Sequence, residues 1–206
     1  DPLPVVLARG QGSWVSDVDG RRYLDLMSAY SAVSFGHGHP RIVGALIAQA
    51  QQLGVTSRAY HNDELPYLFE RLTQLTGLDR VLPANGGAEA VETAIKAARK
   101  WGHKIKGIPD GRAEIIGCHG NFHGRTITVT GLSTEPQYRD GFGPFSPGLS
   151  TIPYGDADAL AEAITPRTAA FLVEPIQGEA GIVLPPPGYL RSEEHTSELQ
   201  SHSNIS

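Results

Sequence analysis

Segments with helical periodicity alternate with short apolar runs, and this alternation narrows the possible folds more than any other feature of the chain. "HPRIVGALIAQAQQL" (39–53) reads as a helix with Pro40 at its first position. "NDELPYLFERLTQLTG" (62–77) reads as a second, with Leu65, Leu68, Phe69, Leu72 and Leu75 on one face and Gly77 as its stop. A third begins within "PANGGAEAVETAIKAARK" (83–100), where Val91, Ala94, Ile95, Ala98 and Trp101 recur at three- and four-residue steps. The apolar runs "AEIIGC" (113–118), "TITVTG" (126–131) and "TAAFLVEP" (168–175) are expected as strands. A Gly/Pro-rich loop is expected over 135–155, then a helix near 156–164. Nearer the start, "SWVSDVDGRRYLDLM" (13–27) reads as two strands around an Asp19-Gly20 turn. The pattern predicts an α/β domain with a mainly parallel sheet.

In such sheets ligands sit beyond the carboxyl ends of the strands. Three stretches are candidates for those ends or for adjacent loops: Gly86-Gly87, "GNFHGR" (120–125) and "EPIQGEAG" (174–181). Gly86 and Gly87 directly precede the third helix, with Asn85 or Gly86 as its N-cap. Glu89 and Glu92 lie in its early turns and Lys96, Arg99, Lys100 and Lys104 in its later ones, which complements the helix dipole; Glu92 and Lys96 form an i,i+4 pair. Free N–H groups beside two residues without Cβ atoms suit an anion, most commonly phosphate. A tight turn that only caps a helix would read the same way.

Phe122 offers a ring that can stack on a flat ligand, and Arg125 a planar fork for a carboxylate. Glu174 ends an apolar run, and a carboxylate buried there needs a partner such as arginine or a protonated heterocycle; Glu179 follows five residues later. Taken singly, each has an ordinary role: Phe122 in the core, Arg125 in a surface ion pair, Glu174 as a strand-end cap. Cys118, His119 and His123, with His37 and His39, raise a metal site as a rival. The first three enclose Gly120 and are followed directly by Gly124, so they do not share one helical face, and no second cysteine exists; no metal is expected.

Composition sets the remaining bounds. A net charge of −5 gives no electrostatic footprint for nucleic acid. A single cysteine excludes an internal disulfide and points to a reducing, cytoplasmic setting. No apolar run reaches membrane-spanning length, so no membrane partner is expected.

Six ordered motifs together resemble the class III pyridoxal-phosphate-dependent aminotransferases: "DVDGRRYLDLMSAYSAVSFGHGHPRIVGAL", "TSRAY", "VLPANGGAEAVETAIKAARKWG", "GNFHGRT", "GFGPFSPG" and "VEPIQGEAGIVLPPPGYL". Within the class, "SAYSAVSFGHGHP", "KWGHKIKGI" and "DGFGPFSPG" resemble the ornithine-specific subgroup more than the acetylornithine or 4-aminobutyrate ones. The resemblance covers residues 1–190. It implies the α/β fold of the fold-type I pyridoxal-phosphate transferases, with residues 1–29 in the small domain, residues 30–190 in an incomplete large domain, and a homodimer with sites at its interface.

The resemblance also implies roles. Gly86, Gly87 and Ala88 would hold the phosphate of pyridoxal 5'-phosphate, Phe122 would stack on its ring, and Glu174 would belong to the same cofactor site. Many class members have a serine or threonine in place of Gly86, so a hydroxyl contact is expected to be missing. Arg125 would take a substrate carboxylate, Tyr30 would shape the pocket for the ornithine side chain, and Glu179 would pair with a second carboxylate-binding arginine. The implied substrates are L-ornithine and 2-oxoglutarate. That arginine, the aspartate for the pyridine nitrogen and the Schiff-base lysine are expected beyond Leu190, so the chain by itself is expected to be inactive. A non-catalytic carrier of the same cofactor and an unrelated phosphate- or metal-binding domain are the alternatives outside the enzyme class. Residues 191–206, "RSEEHTSELQSHSNIS", resemble the in-frame translation of a short-read sequencing adapter; they are expected to be non-native and take no part in the fold reading.

Overall fold

A computed structural model describes residues 2–191, and the polar tail, 191–206, lies almost wholly outside them. The chain divides into two units, Asp1–Val81 and Leu82–Ser206.

The first unit opens with an antiparallel sheet of β1 (Leu7–Gln11), β2 (Trp14–Asp17) and β3 (Arg22–Leu24), in that order. The β2–β3 hairpin is the one expected from the Asp19-Gly20 turn. Gly20 takes φ 84°, and Asp17 Oδ1 accepts from the Asp19 and Arg21 amides at 3.0 and 2.8 Å, so the carboxylate organises the turn from below. Tyr23 donates its hydroxyl to Asp17 Oδ2 at 2.7 Å. This hydrogen bond, more than the neighbouring amides and Arg21, holds the Asp17 carboxyl below its usual range. Two helices follow, α1 (Pro40–Gln52) and α2 (Leu65–Thr76). α1 starts at Pro40 as expected, and α2 ends at Gly77 in the left-handed region, with φ 70°. Much of the apolar face of each is exposed among the described residues, Leu46 and Leu75 included, while Phe69 and Leu72 are half-buried.

The second unit contains α3 (Gly87–Lys104), β4 (Glu114–Cys118), α4 (Ile127–Leu132), α5 (Pro136–Arg139), β5 (Leu149–Ile152), α6 (Ala157–Ala163) and β6 (Thr168–Phe171). Its three strands are parallel in the order β5-β4-β6. Successive β4 residues point to opposite faces. Ile115 packs with Ile95 of α3 and with Val129 and Leu132 of α4, while Ile116 and Cys118 pack with Ile152 and with Leu160 of α6. The sheet is thus covered on both faces, which is why its strands read as continuous apolar runs.

Several expectations need correction. The run at 126–131 is a helix, not a strand. Thr126 is its extended N-cap, and Val129 and Leu132, one turn apart, both bury against the α3 side of the sheet. That packing outweighs the strand preference of Ile127, Thr128 and Val129. The span 135–155 is not a plain loop either: it holds α5 and β5, whose four residues are too few to show an alternation. The face of α3 is also narrower than its periodicity indicates. Ile95 and Gly102 are buried, whereas Trp101 is 46% exposed. Glu92 Oε1 accepts from Thr126 Oγ1 at 2.5 Å instead of pairing with Lys96, and so ties α3 to the N-terminus of α4.

Candidate functional site

The carboxyl ends of β4 and β6 bring two of the three predicted stretches together. After β4 the chain turns through Gly120, at φ 73°, into the 121–125 loop. Asn121 is buried and its Nδ2 donates to the carbonyls of Cys118 and Leu132, at 2.6 and 2.8 Å, which pins the loop to the strand and to α4. After β6 the chain reaches Glu174, whose Oε2 accepts from the Phe122 amide at 3.1 Å. Gln177, also buried, donates to the His119 carbonyl at 2.8 Å. The Tyr154 hydroxyl lies 3.0 Å from the Glu174 carbonyl oxygen. Burial pushes the Glu174 carboxyl above its usual range; the amides of Phe122 and Gly178 act against this, and the Glu179 charge adds to it.

The third stretch joins through a close contact. Gly124 has φ 121°, and a Cβ on it would lie 2.8 Å from the Ala88 Cβ. This approach sets the start of α3 beside the Phe122–Arg125 loop. Gly86 is the N-cap, in extended conformation, and no side chain caps the helix. The first helical bond runs from the Ala90 amide to the Gly86 carbonyl at 3.0 Å, so the amides of residues 87–89 face out of the helix end. Glu89 reaches back to accept from the Asn85 amide at 2.8 Å. A Cβ built on Gly86 or Gly87 meets no atom within 4 Å, and neither residue has a positive φ. Neither internal packing nor backbone conformation therefore demands glycine at these two positions. An uncapped helix start with open space at its backbone fits a phosphate group.

Arg125 lies over aromatic rings. Its guanidinium carbon is 5.2 Å from the Tyr138 ring centre and 5.9 Å from that of Phe122, and the two rings meet edge to face at 5.9 Å. Ion pairs among the described residues join Arg21 to Asp19, His37 to Asp25 and Arg167 to Glu114; none engages Arg125, Glu174 or Glu179. The guanidinium fork is thus positioned by rings and has no carboxylate partner among the described residues. Glu179 is exposed. Tyr30 belongs to the first unit and is 80% exposed.

The histidines next to this site do not form a metal centre among the described residues, where no group of three or more His, Cys, Asp and Glu side chains converges. Burial lowers the His123 pKa and so favours the neutral ring. Sequence reasoning missed Tyr138, Asn121 and Gln177. Asn121 and Gln177 stand inside the quoted motifs, but only their burial marks them. Nothing local singles out Tyr138, which reaches Phe122 through the turn of α5.

The sequence profile of the aminotransferase class-III family matches residues 1–198, and the chain belongs to that family. Its fold is that of the fold-type I pyridoxal-phosphate-dependent transferases. The chain is 62% identical over 190 residues to an ornithine aminotransferase of Bordetella pertussis, an alignment covering 92% of this chain and 46% of the relative. It superposes on the crystal structure of the ornithine aminotransferase of Toxoplasma gondii with a TM-score of 0.95 and 44% identity, covering 98% of this chain and 48% of the other. Against an acetylornithine aminotransferase of Elizabethkingia anophelis the TM-score is 0.83 and the identity 50%, over 98% of this chain and 49% of that one. The chain spans about half the length of the curated relatives it matches.

Proposed function

We propose that the chain is part of an ornithine aminotransferase, which moves the δ-amino group of L-ornithine to 2-oxoglutarate and yields glutamate 5-semialdehyde and glutamate. One observation carries this reading: the contact of Ala88 with Gly124, which seats the uncapped start of α3 beside Phe122 and Arg125. Identity to the Bordetella pertussis relative supports the choice of donor.

In this reading the helix start at Gly86, Gly87 and Ala88 holds the phosphate of pyridoxal 5'-phosphate, and Phe122 sets the plane of its ring. The bound cofactor supplies an electron sink for bond changes at the carbon that bears the amine. Glu174 serves that site through Phe122, whose amide it accepts. Arg125, held over Tyr138 and Phe122, orients the substrate by its carboxylate. Tyr30 shapes the donor pocket, and Glu179 pairs with a second carboxylate-binding arginine. Residues 1–29 belong to the small domain of a homodimeric, cytoplasmic enzyme, and residues 30–190 to its large domain. Among the described residues no helix is long and apolar enough to cross a membrane.

A second reading, an acetylornithine aminotransferase, is supported by the identity to the Elizabethkingia anophelis structure. The deciding experiment supplies the whole protein with 2-oxoglutarate and, in turn, L-ornithine, N-acetylornithine and 4-aminobutyrate. The highest kcat/KM is expected with L-ornithine, with the semialdehyde and glutamate formed in equal amounts. A higher value for either other donor rejects the proposal.

A further inference from the structure

Four successive residues in the first unit, Ser28, Ala29, Tyr30 and Ser31, have φ of 47°, 47°, 56° and 69°. None is glycine, so each Cβ crowds the backbone, and a run of this kind is disfavoured at every position. Such a conformation persists only where its surroundings over-determine it. Packing of the run itself is not the cause, because Tyr30 is 80% exposed. Backbone hydrogen bonds hold the run locally, from the Tyr30 amide to the Met27 carbonyl and from the Val33 amide to the Ser28 carbonyl, both at 3.0 Å, and the two ends of the loop are fixed as well.

Asp25 stands at the entrance. Its Oδ1 accepts from the amides of Met27 and Ser28 at 3.1 and 2.9 Å, which starts the left-handed course, and its Oδ2 lies 2.7 Å from Nε2 of His37 at the exit. Both ends are also fixed to the β1–β2 turn. The Asp25 amide donates to the Ser13 carbonyl at 2.9 Å, and His37 exchanges amide and carbonyl hydrogen bonds with Gly12, at 2.8 and 2.9 Å. The His37 side chain lies so close over β1 that a Cβ on Gly10 would come within 2.7 Å of its Cγ. Asp25 and His37 thus close residues 26–36 into a loop anchored at both ends, and Tyr30 projects from its strained part.

We propose that the Asp25–His37 pair is a latch that positions Tyr30, so that Asp25 and His37 act as positioning residues for the choice of amino donor. This rests on the reading of Tyr30 as a donor-binding residue. Without the latch the strained run relaxes, the Tyr30 ring leaves its place, and the preference for L-ornithine over 4-aminobutyrate falls.

The test uses the full-length enzyme with its cofactor. Variants are His37→Ala, His37→Gln, Asp25→Asn, Tyr30→Ile and the double variant of His37→Ala with Tyr30→Ile. His37→Ala is expected to lower the ratio of kcat/KM for L-ornithine over 4-aminobutyrate about fivefold, mainly through KM for L-ornithine. His37→Gln, which keeps a donor for Asp25, should recover at least half of that loss and still reports if His37→Ala does not fold. The double variant should lose no more than Tyr30→Ile alone, because both changes act through one ring. Chymotrypsin cleavage after Tyr30 or Phe35, followed by mass spectrometry on the cofactor-free protein, should accelerate in His37→Ala and Asp25→Asn. Independent, multiplying effects of His37→Ala and Tyr30→Ile would overturn the latch, as would an unmoved donor ratio in His37→Ala. An unmoved ratio in Tyr30→Ile would overturn the donor role of Tyr30 and the specificity claim with it; faster loop cleavage in His37→Ala would then show that the loop closure exists and that the reading of Tyr30 is what failed.

Discussion

Ala88 and Gly124 touch so closely that a Cβ on Gly124 would lie 2.8 Å from that of Ala88. The contact joins the first turn of α3 to the loop after β4. It sets the helix amides and the Phe122–Arg125 pair in one place, and each neighbouring glycine can be assigned a separate reason for being glycine.

At Gly124 the reason is internal. Its φ of 121° and the Ala88 contact both oppose a side chain. Gly124→Ala is expected to destabilise the full-length protein by about 1–3 kcal/mol and to weaken cofactor binding along with stability. Thermal unfolding with and without pyridoxal phosphate measures both. An unchanged melting temperature in the cofactor-free protein would remove the contact as a structural determinant.

At Gly87 no atom lies within 4 Å of a built Cβ, and the backbone is unstrained. Gly87→Val should therefore leave the cofactor-free stability within about 1 kcal/mol of the parent, yet abolish cofactor retention, since a branched side chain obstructs approach to the amides. Dialysis followed by cofactor absorbance is the measurement. Retention equal to that of the parent argues against the phosphate turn.

Glu174 has a raised folded-state pKa, with burial as its first cause, against an ordinary value of 4.5. Between the two values the folded chain binds more protons than the unfolded one. The stability this group contributes is thus complete below about pH 4.5 and is lost as pH rises through the folded value. Glu174→Gln keeps an oxygen acceptor for the Phe122 amide and removes the titration. Relative to the parent, its urea midpoint should rise between about pH 4.5 and pH 7. A difference that is flat across that range refutes the burial argument.

The lysines of this chain are not expected to serve the site. Lys96 stands about 13 Å along the α3 axis from Gly87 at a helical rise of 1.5 Å per residue, and Lys100 and Lys104 stand farther. Lys106 donates to the Thr168 carbonyl at 2.8 Å, at the first residue of β6, whereas the site lies beyond the strand's last. Residues 1–206 incubated with pyridoxal phosphate and reduced with borohydride should show no single lysine labelled stoichiometrically and no ornithine turnover. Stoichiometric labelling of one lysine together with turnover would overturn this.

Local signals were enough for the elements whose causes are local. Asp17 and Gly20 make the β2–β3 turn, Pro40 begins α1, Gly77 ends α2, and the glycine pair begins α3; each acts within a few residues of itself. Gly86, Gly87, Phe122, Arg125 and Glu174 were legible as candidates because they lie in compact motifs, but residue type alone left each of them an ordinary structural reading. Tertiary structure decided the rest. Residues 127–132 are helical because Val129 and Leu132 bury one turn apart against α3 and the sheet, a cause invisible in a β-branched run. The four residues of β5 become a strand only through their register with β4. Tyr138 meets the Arg125 guanidinium, and Ala88 meets Gly124, across chain separations that no periodicity encodes. Propensity and capping act along the chain, whereas close packing and ring–cation contacts depend on which segments the fold brings face to face.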